Sequence, residues 1–183
     1  MNNEFIKNIH LIPTTLADYP VIQNMARFYI YDLSRYCGFT SDEYDWALPK
    51  DGLYESNDFK NYFLEADRKA YLVKVNDELA GFVLLNKIGT QDKVDWNMGE
   101  FFIIARFQNK GVGRQVAKQI WQTYQGLWEV SALPENKPAL AFWRKTIAEF
   151  TKNNYFEEVK LVKHDGYEAE RIIFEFNTRL INI

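Results

Sequence analysis

The stretch Gly99-Glu-Phe-Phe-Ile-Ile-Ala-Arg-Phe-Gln-Asn-Lys-Gly-Val-Gly-Arg114 decides the reading of this chain. Its first half is apolar and rich in β-formers, and predicts a strand over Met98 to Ile104. Its end opens the segment Gly111 to Gln125, where Val112, Val116, Ala117, Ile120, Trp121 and Tyr124 recur on one helical face. A strand therefore runs through a short glycine-containing loop directly into an amphipathic helix. That arrangement aims several backbone N–H groups and the positive end of a helix dipole at one spot. A pyrophosphate is the natural occupant. Gly111 and Gly113 have no side chain to keep a phosphate away from the backbone, and Lys110 and Arg114 add positive charge.

Other phosphate loops fit poorly. A nucleotide-hydrolase loop needs Gly-Lys followed by Ser or Thr, whereas Arg114 and Gln115 follow Gly113. A dinucleotide fingerprint needs a small residue where Val116 stands, and it belongs on the first strand of its fold rather than midway along the chain.

Outward from this stretch, the chain reads as alternating elements. Asn8 to Ile12 is a short strand ended by Pro13. A helix follows, with Asp18 as its cap, Pro20 in its first turn, and Ile22, Met25, Ala26, Tyr29 and Leu33 at helical spacing. Cys37 to Glu55 is irregular and acidic, and Asp58 to Ala66 forms a second short helix. Ala70 to Val75 and Leu79 to Asn86 make a hairpin about Asn76-Asp77. Beyond the central helix come a strand over Leu127 to Leu133 and a helix over Pro138 to Phe150 capped by Asn136. The second helix turns Ala139, Phe142, Trp143, Ile147 and Phe150 inward. Val159 to Lys163 and Arg171 to Phe176 are closing strands joined at Asp165-Gly166. The order β-α-α-β-β-β-α-β-α-β-β predicts a mixed α/β sheet with helices on both faces.

The 183 residues suit one domain spanning 1–183. A formal net charge of −3 argues against a nucleic-acid partner, whose phosphates want a basic face. No apolar run approaches the roughly 20 residues of a membrane span, and Met1 to Lys7 is no signal segment. Cys37 is the sole cysteine, so no internal disulfide forms, which fits a cytoplasmic setting. His10 and His164 have no partners in sequence that suggest a metal or a triad; no metal site is expected.

The loop Gln108-x-x-Gly111-x-Gly113 after the strand Phe101-Phe102-Ile103-Ile104 resembles the signature of the GNAT superfamily of N-acetyltransferases. A second block, Asn136-Lys-Pro-Ala139-Leu-Ala-Phe142-Trp143-Arg-Lys145, resembles that family's later helical motif, and Thr14 to Asp18 resembles its first strand-to-helix junction. The resemblance covers roughly residues 8 to 176. It implies a mainly antiparallel central sheet splayed in the middle, with acetyl-CoA as co-substrate. The strand at Phe101 to Ile104 and the strand at Leu127 to Leu133 would part to admit the pantetheine arm. Phe102, Ile103 and Ile104 would line that arm. Gln108, Asn109, Lys110, Gly111, Val112, Gly113 and Arg114 would hold the pyrophosphate, and Asn136 and Trp143 would contact the cofactor from the later helix.

Direct attack of an amine on a thioester needs a base and an oxyanion donor, and is helped by an acid. Glu100, on the strand beside the expected thioester, is the expected base, with Asp95 the alternative. The backbone N–H of Ile103 or Ile104 is the expected oxyanion donor. The family's tyrosine acid falls at Trp143, whose indole cannot serve. Either another tyrosine reaches in or no acid is needed, since a thiol with a pKa of about 8.5 leaves tolerably as thiolate. Trp143 is then a packing residue shaping the acetyl pocket. The acceptor is expected against Tyr36 to Tyr62, whose carboxylates and aromatic rings suit a cationic amine of a small molecule or peptide. A homodimer is among the arrangements the sequence allows. The competing readings are a non-catalytic acyl-CoA-binding regulatory module and a transferase using another acyl donor.

Overall fold

The computed structural model describes residues 8–37, 48–55, 57–164 and 167–181. The sequence of elements is that expected from periodicity: β1 (Ile9–Pro13), α1 (Tyr19–Cys37), α2 (Asn61–Leu64), β2 (Lys69–Val75), β3 (Glu78–Asn86), β4 (Trp96–Ile103), α3 (Val112–Thr123), β5 (Leu127–Ala132), α4 (Lys137–Thr151), β6 (Phe156–His164) and β7 (Tyr167–Asn177). The expected turn at Asp165-Gly166 lies outside the described residues.

One junction differs from expectation. Asp18 does not cap α1. It closes a capping box with Thr15 around a short 3-10 turn, accepting from the Thr15 N–H at 2.9 Å, and α1 begins one residue later. The β2–β3 hairpin turns on Asn76 and Asp77, both left-handed with φ of 49° and 71°. This is the backbone that a two-residue hairpin loop requires and that Asn and Asp tolerate.

The seven strands form one sheet in the order β1-β2-β3-β4-β5-β7-β6. Every pairing is antiparallel except β4 with β5. Parallel neighbours need a crossover, and α3 supplies it. Two cores follow from the two faces. On one, Val112, Val116, Ala117, Ile120 and Trp121 of α3 and Leu140, Trp143, Ile147 and Phe150 of α4 pack on the sheet. On the other, Ile22, Met25 and Ala26 of α1 and Phe59 pack on Leu72, Phe82, Leu84 and Phe102.

Two departures from regularity in β4 make the site. First, Leu84 pairs with Glu100 and Leu85 with Met98, so Gly99 is an extra, bulged residue. A Cβ there would lie 2.4 Å from the Tyr62 hydroxyl and 2.6 Å from Asn86 Nδ2, so any larger residue must displace those side chains. Second, β4 pairs with β5 only from Trp96↔Trp128 to Met98↔Val130. Beyond the bulge the two strands part, and among the described residues the rest of β4 has no strand partner on that side.

Candidate active site

The gap between β4 and β5 opens into a cleft of about 550 Å³. Peptide groups along a paired strand alternate in direction. The Ile104 N–H donates to the Ala80 carbonyl of β3 at 2.9 Å, so Ile104 is spoken for and cannot supply the oxyanion donor. By the same alternation, Phe101 and Ile103 turn their N–H and C=O groups away from β3 and toward the gap. Of the two donors expected from sequence, the geometry leaves the N–H of Ile103.

At the floor of the cleft the loop runs into α3. Gly111 is the helix N-cap, in the left-handed region with φ of 81°, and a Cβ on it would meet nothing within 4 Å. The first N–H to turn back into the helix ladder is that of Gln115, on the Gly111 carbonyl at 3.1 Å. The N–H groups of Val112, Gly113 and Arg114 therefore project from the helix start beside that open space. Gly113 has a second reason to be small. A Cβ there would press on Phe142 at 3.3 Å and approach Phe101 at 3.5 Å, so its smallness also admits aromatic packing.

The side chains of the loop are largely committed to structure. Gln108 Nε2 donates to the Ile103 carbonyl at 2.7 Å, tying the loop to the end of β4. Lys110 Nζ donates to the Arg106 carbonyl at 2.6 Å, and Arg114 pairs with Glu149 at 3.3 Å. Val112 is wholly buried and offers only its backbone. The unsatisfied donors at the start of α3 are thus peptide groups. Of the thirteen residues expected from sequence, Phe102, Ile103, Gln108, Asn109, Gly111, Gly113, Arg114, Asn136 and Trp143 line the cleft; Glu100, Ile104, Lys110 and Val112 do not.

From the far side, Asn136 Oδ1 caps α4 by accepting from the Ala139 N–H at 3.1 Å. Trp143 is buried, edge-on to Phe101 with centroids at 5.1 Å, and packed on Phe142 and Trp121. It acts as packing that shapes one wall. Phe102 points to the opposite sheet face, against Tyr29 and Phe82.

Glu100 also points to that opposite face, under α1 and α2. It is half-buried, and removal of its carboxylate from water pushes its pKa up to about 7, with a hydrogen bond from Tyr29 pulling the other way. Tyr29 lines the cleft and Glu100 does not, so the carboxylate reaches the cleft behind a tyrosine hydroxyl. The alternative base is disposed of by geometry. Asp95 Oδ2 accepts from the Leu127 N–H at 2.8 Å and pairs with Arg179 at 3.3 Å, holding the β4–β5 start together.

Sequence reasoning missed Tyr29 as a site residue, along with Asp32 and Arg35 of α1, all on the cleft wall; Tyr36, the start of the expected acceptor segment, also lines it. Tyr29 was visible only as one more member of an apolar helical face. Of the expected acceptor segment, Phe39, Asp42, Glu43, Tyr44, Asp45 and Trp46 lie outside the described residues. Among the described residues no helix is long and apolar enough to cross a membrane.

A sheet parted at its single parallel pair, with a helix N-terminus at the mouth of the gap, defines the acyl-CoA-dependent transferase fold that the sequence motifs resemble. The profile of the acetyltransferase (GNAT) family matches residues 33–147, more than half of the chain, and the chain belongs to that family. An acetyltransferase from Thermus thermophilus is 15% identical, with a TM-score of 0.59 over 94% of this chain and 99% of that one. A chimera of the spermidine N-acetyltransferase SpeG from Vibrio cholerae and hSSAT is 14% identical, with a TM-score of 0.60 over 94% and 97%. RimL, a ribosomal L7/L12 α-N-protein acetyltransferase in complex with coenzyme A, is 13% identical, with a TM-score of 0.59 over 94% and 96%. At these identities the likeness is one of fold. No curated protein matches the chain.

Proposed function

We propose that this acetyltransferase moves an acetyl group from acetyl-CoA to a primary amine of a small molecule or peptide by direct attack. The observation that carries the reading is the parting of β4 from β5 beyond Met98 and Val130, which turns the peptide groups of Phe101 and Ile103 toward a cleft floored by the start of α3. Bound there, acetyl-CoA supplies an activated acyl carbon and a thiolate leaving group. The N–H and C=O of Phe101 hold the pantetheine arm in strand-like fashion. The N–H groups of Val112, Gly113 and Arg114 hold the pyrophosphate. The Ile103 N–H faces the carbonyl oxygen as charge develops on it. Glu100, titrating near neutrality, is suited to take the proton from the attacking nitrogen. The names of the structural neighbours support an amine acceptor, since spermidine and a protein N-terminus both present one.

The test is calorimetric titration with acetyl-CoA of the native protein and of Gly111→Asp. Aspartate tolerates the left-handed backbone at this position and places a carboxylate in the open space meant for phosphate. Native binding with loss in the variant is expected. Thiol release should then depend on an added amine, screened over short diamines, amino-acid amides and peptides. Absence of acetyl-CoA binding by the native protein overturns the reading. Binding without thiol release for any amine leaves the regulatory acyl-CoA-binding module, which the packed Trp143 would suit.

A further inference from the structure

We propose that Tyr29 is a catalytic residue of this enzyme, relaying protons between Glu100 and the thioester in place of the tyrosine that Trp143 displaces. The inference rests on the acetyl-transfer reading above. Three observations carry it. The Tyr29 side chain lines the cleft, whereas Glu100 does not. The Tyr29 hydroxyl is hydrogen-bonded to the Glu100 carboxylate, so the shortest route from base to substrate runs through it. The ring is fixed edge-on to Phe82 with centroids at 6.1 Å and tilted on Phe102 at 5.6 Å, so the hydroxyl has a set direction. On the opposite wall, where an acid on α4 would stand, Trp143 is enclosed by Phe101, Phe142 and Trp121 and has no exchangeable proton of useful acidity.

The proton accounting closes on these two residues. As the nitrogen of the neutral amine bonds to the acyl carbon, the Tyr29 oxygen takes its surplus proton while the Tyr29 proton passes to the Glu100 carboxylate. When the carbon–sulfur bond breaks, the electron pair stays on sulfur. The proton on Glu100 then returns through the Tyr29 hydroxyl to that sulfur. The products are an amide and the free thiol, with both residues back in their starting protonation states. No third titrating group or metal is required.

Glu100 is also faced from α2 by Tyr62. The Tyr62 hydroxyl accepts from Asn86 Nδ2 at 2.7 Å, and Arg68 sits over the Tyr62 ring at 4.9 Å. These groups stay in place when Tyr29 is changed, so they set a common background.

The experiment compares native enzyme with Tyr29→Phe and Glu100→Gln. Acetyl-CoA affinity and thermal midpoint are measured first, then kcat against pH with the fastest amine of the screen. Tyr29→Phe should bind acetyl-CoA as the native enzyme does, because the packing ring is retained. Its kcat should fall by about 100-fold or more, the usual scale for a lost proton-transfer group. Its pH profile should move upward, since the hydrogen bond that favours the ionised carboxylate is gone. Native-like kcat and an unmoved profile in Tyr29→Phe, with Glu100→Gln inactive, overturn the relay and leave Glu100 as base. An active Glu100→Gln overturns the base assignment itself. Should Tyr29→Phe fail to fold, a fluorinated tyrosine at 29 keeps ring and hydroxyl but makes the phenol more acidic. A shifted pH profile is then expected, and an unchanged one overturns the proposal.

Discussion

Glu100→Gln should stabilise this protein at alkaline pH and leave it almost unchanged near pH 4.5. Burial lifts the Glu100 carboxyl from the usual 4.5 to about 7, so the folded state holds a proton that the unfolded chain has released. Between those two values the unfolded chain binds fewer protons than the folded one, and stability falls as pH rises. At about 1.4 kcal/mol per pH unit, the interval amounts to about 3 kcal/mol. That contribution is fully present below about pH 4.5 and lost above about pH 7. Glutamine cannot ionise and keeps most of the volume, so the variant escapes the loss. Urea denaturation of both proteins from pH 4.5 to 8 isolates the effect, because every other titrating group is common to the pair. The difference in unfolding free energy should grow from near zero to about 3 kcal/mol in favour of the variant, which for a chain of this size is a thermal midpoint gap of roughly 10 °C. A difference that is flat across this range would refute the argument that the carboxylate is desolvated, and with it the tuning of Glu100 as a base near neutrality.

Other outcomes follow from the same geometry. Asp95→Ala removes the acceptor for the Leu127 N–H and the partner of Arg179; unfolding free energy should drop by about 1–2 kcal/mol while kcat with acetyl-CoA is unchanged, because this carboxylate holds strands and does not line the cleft. Gly99→Ala forces a methyl onto the Tyr62 hydroxyl and Asn86; it should cost about 1–3 kcal/mol by denaturant titration and lower kcat, since the bulge aims both Glu100 and the free edge of β4. Trp143→Ala should cost about 3–5 kcal/mol, as expected for a buried ring in contact with Phe101, Phe142 and Trp121, and an unaltered urea midpoint would contradict its role as packing.

Features set by neighbours along the chain were legible in the residues alone. Helix faces such as Val112, Val116, Ala117 and Ile120 are a matter of spacing, and all four are buried. The Asn76-Asp77 turn and the Asn136 cap are chemistry within a few residues, and both form as expected. The run from β4 through Gly111 into α3 is likewise local, so the strand–loop–helix junction could be read from spacing and residue type. Features that join residues far apart in sequence needed the fold. The β4–β5 pairing ends at Met98↔Val130, next to the bulge at Gly99, where the Tyr62 hydroxyl and Asn86 amide from other elements crowd the space a side chain would take. Ile104 lost its expected role because Ala80, on another strand, takes its N–H. Gly113 gained a packing role because Phe142, from a distant helix, lies against it. Glu100 and Asp95 are carboxylates five positions apart, the first on the expected strand and the second just before it, and residue type alone does not separate them. Only the fold places one behind Tyr29 in low dielectric and ties the other to Leu127 and Arg179, and a carboxylate's proton affinity is set by what surrounds it in space.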